Sequence, residues 1–219
     1  MLFQLILGLL FLAIFIHFSI KFFKHKSLYP FMPFKYNFRR RRITFAKTLQ
    51  LLKERKAKII IETGTSRKGL KATKGDGAAT IVFGKWAKEN NAVMHSVDID
   101  LDSVNGSQEK VKLQNLDGVV SVYHSDSLEF LKNFKQPVDF LYLDSYDYLR
   151  TDNEIQKKSQ EHHLKEFKAI EDKLHNNSIV LIDDCGLPGG GKGKLVVDYM
   201  LEKNWKILID AYQILLVKK

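Results

Sequence analysis

The sequence contains a single cysteine, and its first 48 residues contain no Asp or Glu. Because Cys185 has no second cysteine to pair with, a disulfide within the chain is excluded, and this usage is typical of a reducing compartment. The chain also has no internal repeat and no low-complexity tract. Its 219 residues are enough for one sizeable domain and an appendage.

Charged side chains are absent from residues 1–20, which are dominated by Leu, Ile and Phe. A helix of this length crosses the hydrocarbon core of a membrane. A cleaved signal peptide is the alternative, but no basic segment precedes the apolar run and no small-residue cleavage site follows it. We therefore predict an uncleaved, single-pass membrane anchor.

The basic residues are unevenly distributed along the chain. Residues 1–48 hold nine of the 35 Lys and Arg residues, including the run Arg39–Arg42. The remainder is nearly neutral, which argues against nucleic acid as a partner, because nucleic-acid binding needs a basic face. Basic residues beside a spanning helix favour anionic lipid headgroups and the cytosolic side of the membrane. We predict an anchor at 1–20, a basic juxtamembrane linker at 21–48 and a cytosolic globular domain at 49–219.

Short apolar runs alternate with amphipathic stretches through the rest of the chain. This alternation predicts an α/β fold, a doubly wound and mostly parallel sheet of seven strands. The predicted strands are Lys58–Glu62, Val93–Asp98, Val119–His124, Val138–Leu143, Ser178–Ile182, Lys206–Ile209 and Gln213–Val217. The predicted helices are Ile43–Lys56, Ala78–Asn90, Gly106–Leu116, Ser127–Phe134, Gln156–Leu174 and Lys194–Asn204. Only Asp210–Tyr212 separate the last two strands, so we expect an antiparallel hairpin at the sheet edge.

Two of the predicted strands stop abruptly at carboxylates. Asp144 follows the fourth strand, and Asp183 and Asp184 follow the fifth. Because the carboxyl ends of parallel strands meet at the edge where such sheets bind ligands, we expect the three side chains to lie close together. Close carboxylates repel one another unless a cation or protons lie among them, and oxygen ligands suit Mg²⁺ or a similar hard metal. The alternative is that each acid caps a helix.

Further polar residues follow the first three strands. Gly64 and the segment Gly75–Gly77 lie between the first strand and its helix, where glycines let a ligand approach the backbone. Asp98 ends the second strand about twenty residues later, the position at which an acid holds a ribose hydroxyl. Asp126 ends the third strand. Taken alone, Asp98 and Asp126 are equally well explained as helix N-caps.

In combination, these motifs resemble class I S-adenosylmethionine-dependent methyltransferases, whose fold is a Rossmann-like sheet. The closest likeness is to the metal-dependent small-molecule O-methyltransferase branch that includes catechol and macrolide-sugar enzymes. The resemblance covers about Lys58–Lys219. It rests on the order and spacing of Ile-Ile-Ile-Glu62-Thr-Gly64-Thr, Ser-Val-Asp98-Ile, Ser125-Asp126-Ser127, Leu-Asp144-Ser-Tyr-Asp147 and Leu-Ile-Asp183-Asp184.

The resemblance implies a cofactor site and a metal site. The residues implied to contact S-adenosylmethionine are Glu62, Gly64 and Thr65 at the methionine end, Asp98 at the ribose, and Asp126 and Ser127 at the adenine. The residues implied to bind Mg²⁺ or a similar cation are Asp144, Asp183 and Asp184. One departure is the segment Arg67–Lys74, which makes the turn after the first strand longer than is usual in the family.

Methyl transfer to a hydroxyl oxygen needs a group that removes the hydroxyl proton. A metal lowers the hydroxyl pKa, and a carboxylate within hydrogen-bond reach takes the proton. Asp147 is the candidate base, with Asp144 as the second candidate; a solvated acid or helix cap is the alternative for Asp147. His162 and His163 lie on one predicted helix, where at most one of them faces the site. The acceptor is expected to be a small molecule or a sugar or glycan precursor.

Three other interpretations remain open. Gly186–Gly193 nearly spells a phosphate-binding P-loop, but Gly193 stands where the motif needs a hydroxyl, so we assign this loop to substrate entry. In that role Lys192 and Lys194 would meet an anionic acceptor, or they are simply solvated. A membrane-associated glycosyltransferase would use Asp98 and Asp100 as a D-x-D metal motif. A non-catalytic, membrane-tethered binding module is the third alternative.

Overall fold

The computed structural model describes residues 2–25 and 37–219. Within these ranges the chain forms one seven-stranded sheet with strand order β3-β2-β1-β4-β5-β7-β6. The strands are β1 (Ile59–Thr63), β2 (Val93–Asp98), β3 (Val120–His124), β4 (Val138–Leu143), β5 (Leu174–Ile182), β6 (Trp205–Asp210) and β7 (Ile214–Lys218). Strands β1 to β5 are parallel, and β7 pairs antiparallel with both β5 and β6. The predicted fold class, with its antiparallel C-terminal hairpin, is confirmed.

Helices cover both faces of the sheet. They are α2 (Arg42–Glu54), α3 (Ala79–Glu89), α4 (Leu101–Leu113), α5 (Ser127–Asn133), α6 (Asn153–Ile170) and α7 (Lys194–Glu202), whereas α1 (Leu2–His25) precedes them in the chain. One core contains Phe45, Phe83 and Phe140 and joins α2 and α3 to the sheet. The other core contains Phe167 and Trp205 and joins α6 and α7 to the opposite face. Successive strand residues therefore alternate between two apolar layers, as parallel strands buried on both faces do.

The packed body begins before residue 49. Phe38 and Phe45 lie in the first core, with ring centroids 6.0 Å apart, and Arg41 is buried at the carboxyl edge of the sheet. Packing thus extends past the predicted boundary between linker and globular domain. Residues 26–36 of the predicted linker lie outside the described residues.

Helix α1 contains the span Phe3–Ile20, which is long and apolar enough to cross a membrane and has none of its residues buried. Length and composition alone support this assignment. The membrane anchor therefore stays a prediction.

Several predicted helix boundaries are wrong, and the largest errors are at the start of α4 and the end of α6. Helix α4 begins at Leu101 rather than Gly106, because the Asp100 carboxylate accepts a hydrogen bond from the Ser103 N–H and caps the helix there. Helix α6 ends at Ile170 rather than Leu174, which instead begins β5. Both errors lie at element ends, which hydrophobic periodicity defines less closely than element centres.

Candidate active site

A cavity of about 720 Å³ lies at the carboxyl edge of strands β1 to β5. Its walls carry polar side chains from the turns after these strands, and helices α3, α4 and α5 begin at the same edge. Backbone N–H groups at helix N-termini and strand-end carboxylates are the usual ligands of a nucleotide-like group in such sheets. The sequence-predicted residues on its wall are Gly64, Thr65, Asp98, Asp126, Ser127, Asp144, Asp147 and Asp184.

The turn after β1 lies tightly against the end of β4. Gly64 has a φ of +80°, and a Cβ there would overlap the carbonyl oxygen of Asp144. Only glycine tolerates both the dihedral angle and the close approach. The next residue, Thr65, donates its backbone N–H to Asp98 Oδ2 at 2.9 Å, which fixes the Asp98 carboxylate at the cavity wall. Asp98 Oδ1 accepts the N–H of Asp100 at 2.9 Å, so Asp98 stabilises the turn after β2 and does not cap a helix.

Asp126 and Ser127 form the part of the wall next to α5. Asp126 caps this helix by accepting the Glu129 N–H at 3.0 Å, so the capping interpretation holds for Asp126. Ser127 Oγ lies 3.2 Å from Nε2 of His162, which also lies on the cavity wall. Buried Glu166 lies 3.2 Å from the same His162 nitrogen and orients the imidazole. His163 is buried in the body of the protein, so one of the two histidines faces the cavity.

Glu62 lies beneath the cavity rather than on its wall. Its carboxyl is buried and accepts hydrogen bonds from the Thr80 hydroxyl at 2.6 Å and the Ser96 hydroxyl at 2.5 Å. Burial raises the pKa of Glu62 to about 8, and the two hydroxyls oppose that rise only in part. The structure therefore separates Glu62 from the wall residues with which the sequence grouped it.

The three strand-end carboxylates converge as expected. Oxygen atoms of Asp144, Asp183 and Asp184 all lie within 4.8 Å of one another, a spacing that suits a divalent cation. Asp183 is fully buried, whereas the Asp144 side chain is 21% exposed and opens to the cavity. Burial and the charge of Asp183 raise the pKa of Asp144 well above its ordinary value, although Lys192 opposes this.

Two cationic side chains lie among these carboxylates. The Arg41 guanidinium donates to Asp183 at 2.6 Å, and the Lys192 ammonium donates to Asp144 at 2.8 Å. Burial disfavours an ammonium ion, but the charges of Asp144, Asp184 and Asp183 hold the pKa of Lys192 above its ordinary value. The positions that a metal ion would take between the carboxylates are thus occupied by protein donors. As arranged, the residues do not fit a divalent cation.

Sequence reasoning missed both cations. Arg41 was assigned to the linker, and it reaches its partner Asp183 across 142 residues of sequence. The near-P-loop gave the only signal for Lys192, whose side chain is 3% exposed rather than solvated; Lys194 on the same loop is exposed.

Asp147 lies on the cavity wall as an exposed residue. Asp100, the second acid of the D-x-D motif, caps α4 by accepting the Ser103 N–H.

The site and fold define an α/β protein with a cleft for a nucleotide-like cofactor. A family model described as a methyltransferase domain matches residues 74–185, just over half of the chain. The chain belongs to this methyltransferase family and is an S-adenosylmethionine-dependent methyltransferase. The glycosyltransferase and binding-module interpretations have no support in these comparisons. A search of curated proteins found no match.

Solved structures share the fold at low sequence identity. A methyltransferase from Podospora anserina with bound S-adenosylhomocysteine is 14% identical, with a TM-score of 0.59 over 81% of this chain and 79% of its own. A Staphylococcus aureus protein proposed to be a caffeoyl-CoA O-methyltransferase is 15% identical, with a TM-score of 0.58 over 81% and 83% of the two chains. An O-methyltransferase from Bacillus cereus in complex with S-adenosylhomocysteine is 15% identical, with a TM-score of 0.56 over 81% of each chain.

Proposed function

We propose that the protein is a membrane-anchored O-methyltransferase that methylates a hydroxyl group of a small molecule or of a sugar or glycan precursor. The observation that carries this proposal is the cavity at the strand ends, where a cofactor cradle and a pair of carboxylates share one wall. O-methyltransferases among the structures with the same fold support the choice of oxygen as acceptor.

The cofactor cradle is formed by residues near β1, β2 and α5. Asp98 is held by two backbone N–H groups with its carboxylate at the cavity wall, which suits the ribose hydroxyls. Gly64 lines the cavity where the turn after β1 lies against the end of β4, and Ser127 with His162 bounds the adenine end. When bound, S-adenosylmethionine supplies an electrophilic methyl group on its sulfonium sulfur.

The carboxylates that accept the hydroxyl proton are Asp144 and Asp147. A general base must lie within reach of the proton that it takes, and Asp144 lies at the end of β4 with its side chain open to the cavity. Asp147 is three residues further along and more exposed, so it serves acceptors that bind nearer the cavity mouth. Asp144 is therefore our first choice of base and Asp147 the second.

The membrane anchor suggests the physical class of the acceptor. The apolar span Phe3–Ile20 and the exposed side chains of Arg39 and Arg40 would hold the domain at a cytosolic membrane surface. An acceptor attached to a lipid or partitioning into the membrane is then presented close to the cavity. The divalent cation that the sequence predicted is supported only by the proximity of the three carboxylates, so no step is assigned to it.

The test is titration of S-adenosylmethionine into the full chain in detergent, comparing Asp98→Ala with wild type. We expect affinity to fall by ~1.5–3 kcal/mol, the range for hydrogen bonds to a charged group. Asp117→Ala is the matched control, because Asp117 is an exposed acid that is not among the cavity residues. Unchanged affinity in a folded Asp98→Ala protein would remove Asp98 from the ribose role. Absence of cofactor binding by wild type would overturn the proposed function.

A further inference from the structure

Five of the six carboxylate oxygens in the cluster of Asp144, Asp183 and Asp184 accept a hydrogen bond, and the sixth lies 3.5 Å from the Lys192 ammonium. Asp144 Oδ1 accepts from Lys192 at 2.8 Å and Oδ2 from the Tyr142 hydroxyl at 3.2 Å. Both Asp183 oxygens accept from Arg41 Nε, at 3.1 and 2.9 Å. A metal ion bound among these oxygens would lie close to two positively charged side chains, Lys192 at 2.8 Å from Asp144 and Arg41 at 2.6 Å from Asp183, so one of them would have to move away.

The third carboxylate is engaged in the same way. Asp184 Oδ1 accepts from the Tyr212 hydroxyl, and Oδ2 lies 3.5 Å from the Lys192 ammonium. Lys192 therefore bridges two of the three acids, and Arg41 Nη2, 3.5 Å from Asp184 Oδ1, bridges Asp183 and Asp184. Together the two side chains carry two positive charges, the same charge as a divalent cation.

The position of Arg41 is built by several separate parts of the chain. Its Nη1 donates to the Gly75 carbonyl at 2.7 Å, and its guanidinium lies 4.9 Å from the centre of the Tyr212 ring. A Cβ at Gly77 would lie 2.8 Å from Arg41 Cδ, so glycine is needed there for the side chain to pass. The lengthened turn after β1 thus encloses an arginine.

The position of Lys192 is built by the glycine-rich loop. Gly191 has φ +56° and ψ −153°, a conformation essentially restricted to glycine, and a Cβ there would overlap the Asp184 carbonyl oxygen. The close approach of Gly191 to Asp184 is followed by the buried side chain of Lys192. The Lys192 ammonium then donates to the Ser145 carbonyl at 3.0 Å as well as to Asp144. The loop that resembles a phosphate-binding motif therefore delivers an ammonium group to the carboxylates.

We propose that Arg41 and Lys192 replace a divalent cation in this site, so that the three acids are held in place and the protein binds cofactor without a metal ion. The inference rests on the proposed methyltransferase function and specifies how its acidic wall is neutralised. Arg41 and Lys192 are positioning residues: they fix Asp183 and Asp144, and Asp144 faces the cavity. Removing one of them would leave carboxylates free to bind a metal.

The experiment measures Mn²⁺ binding to the full chain in detergent after treatment with EDTA and its removal. Electron paramagnetic resonance detects free Mn²⁺, and thermal melting with and without Mn²⁺ gives a second readout. We expect no binding by wild type at millimolar Mn²⁺. Lys192→Met should bind Mn²⁺ at least tenfold more tightly than wild type, and Mn²⁺ should raise its melting temperature, because a ligand that binds the folded state stabilises it.

Two variants separate charge from general disturbance of the loop. Lys192→Arg keeps a cation among the carboxylates and should remain unable to bind Mn²⁺. Lys194→Met removes an exposed lysine from the same loop and should behave as wild type. A folded Lys192→Met protein that gains no Mn²⁺ binding would contradict the role of Lys192. If that variant does not fold, the wild-type measurement decides alone.

The remaining outcomes distinguish this inference from the proposed function. Tight Mn²⁺ binding by wild type that Asp183→Asn abolishes would overturn the inference. Binding of S-adenosylmethionine in EDTA supports both proposals, whereas binding that requires Mn²⁺ overturns only the inference. No cofactor binding under either condition overturns the proposed function, and the Mn²⁺ measurement still decides the question of the cation pair.

Discussion

Glu62 shows how burial of one carboxyl group makes the stability of the fold depend on pH. Burial raises its folded-state pKa to about 8 from an ordinary value of 4.5. As pH rises through this interval, the unfolded chain releases the proton and the folded chain keeps it, so the free energy of unfolding decreases. We expect Glu62→Gln, which stays neutral, to be closest to wild type in stability at pH 5 and to be more stable by a few kcal/mol at pH 9.

Urea denaturation of both proteins at pH 5, 7 and 9 measures this difference. Glu89→Gln, a change at an exposed glutamate, is the control and should leave the pH dependence unchanged. A wild-type protein whose stability relative to Glu62→Gln is constant from pH 5 to 9 would mean that Glu62 is charged in the folded state.

At the scale of residues, the sequence located the carboxylates but not their partners. Asp144, Asp183 and Asp184 are visible because each ends an apolar strand, a local pattern. Arg41 and Lys192 carry no such pattern, because their roles depend on distant contacts. Arg41 contacts Asp183, which is 142 positions away in the sequence, and Lys192 contacts Asp144, which is 48 positions away. The sequence argument that close carboxylates require a cation was sound. It did not distinguish a metal ion from two side chains.

At the scale of elements, Gly191 tests how strictly the glycine-rich loop is shaped. Its left-handed backbone and its contact with the Asp184 carbonyl both exclude a side chain. We expect Gly191→Ala to lower the free energy of unfolding by ~1–3 kcal/mol, the cost of a strained backbone, with steric overlap adding to it. Gly118→Ala is the control, because nothing lies within 4 Å of its Cβ position. Equal stability of the two variants by urea denaturation would contradict the loop geometry.

Apart from the start of β5, which lies at Leu174 rather than Ser178, strand ends were predicted to within one residue, and helix ends less closely. Strands β2 and β4 have the predicted bounds, because a buried parallel strand is a continuous apolar run with polar residues at its end. Helix α4 started five residues earlier than predicted because the Asp100 cap, rather than hydrophobic periodicity, sets its first turn. Burial thus fixes the middle of an element, and single polar contacts fix its ends.

At the scale of the whole molecule, the domain boundary can be tested by truncation. A chain that starts at residue 37 keeps Phe38, Arg41 and Phe45, whereas one that starts at residue 49 loses all three. The shorter chain also leaves Asp183 as a buried charge without its partner, which costs ~3–5 kcal/mol. We therefore expect the longer chain to fold and the shorter one to lack a cooperative thermal transition by circular dichroism. A cooperative transition at the same temperature in both would place the boundary at residue 49, as the sequence suggested.

The topology of the chain is the remaining question at this scale. The 11 residues from 26 to 36 separate α1 from the packed body, and even a fully extended chain of this length spans only about 40 Å. If α1 crosses a membrane, the cavity therefore stays near the membrane surface. The excess of basic residues after the span, including Arg39–Arg42, favours the cytosolic side for the body.

We expect protease added to intact cells to leave the body uncut and protease added after permeabilisation to degrade it. The full chain should remain with the membrane fraction in high salt and be released by detergent, because the predicted anchor is an apolar span and not a charged patch. Replacing Arg39 and Arg40 by Gln, which leaves the buried Arg41 intact, should not release it. Cleavage in intact cells, or a mature N-terminus near residue 20 or beyond, would instead identify the first helix as a signal sequence.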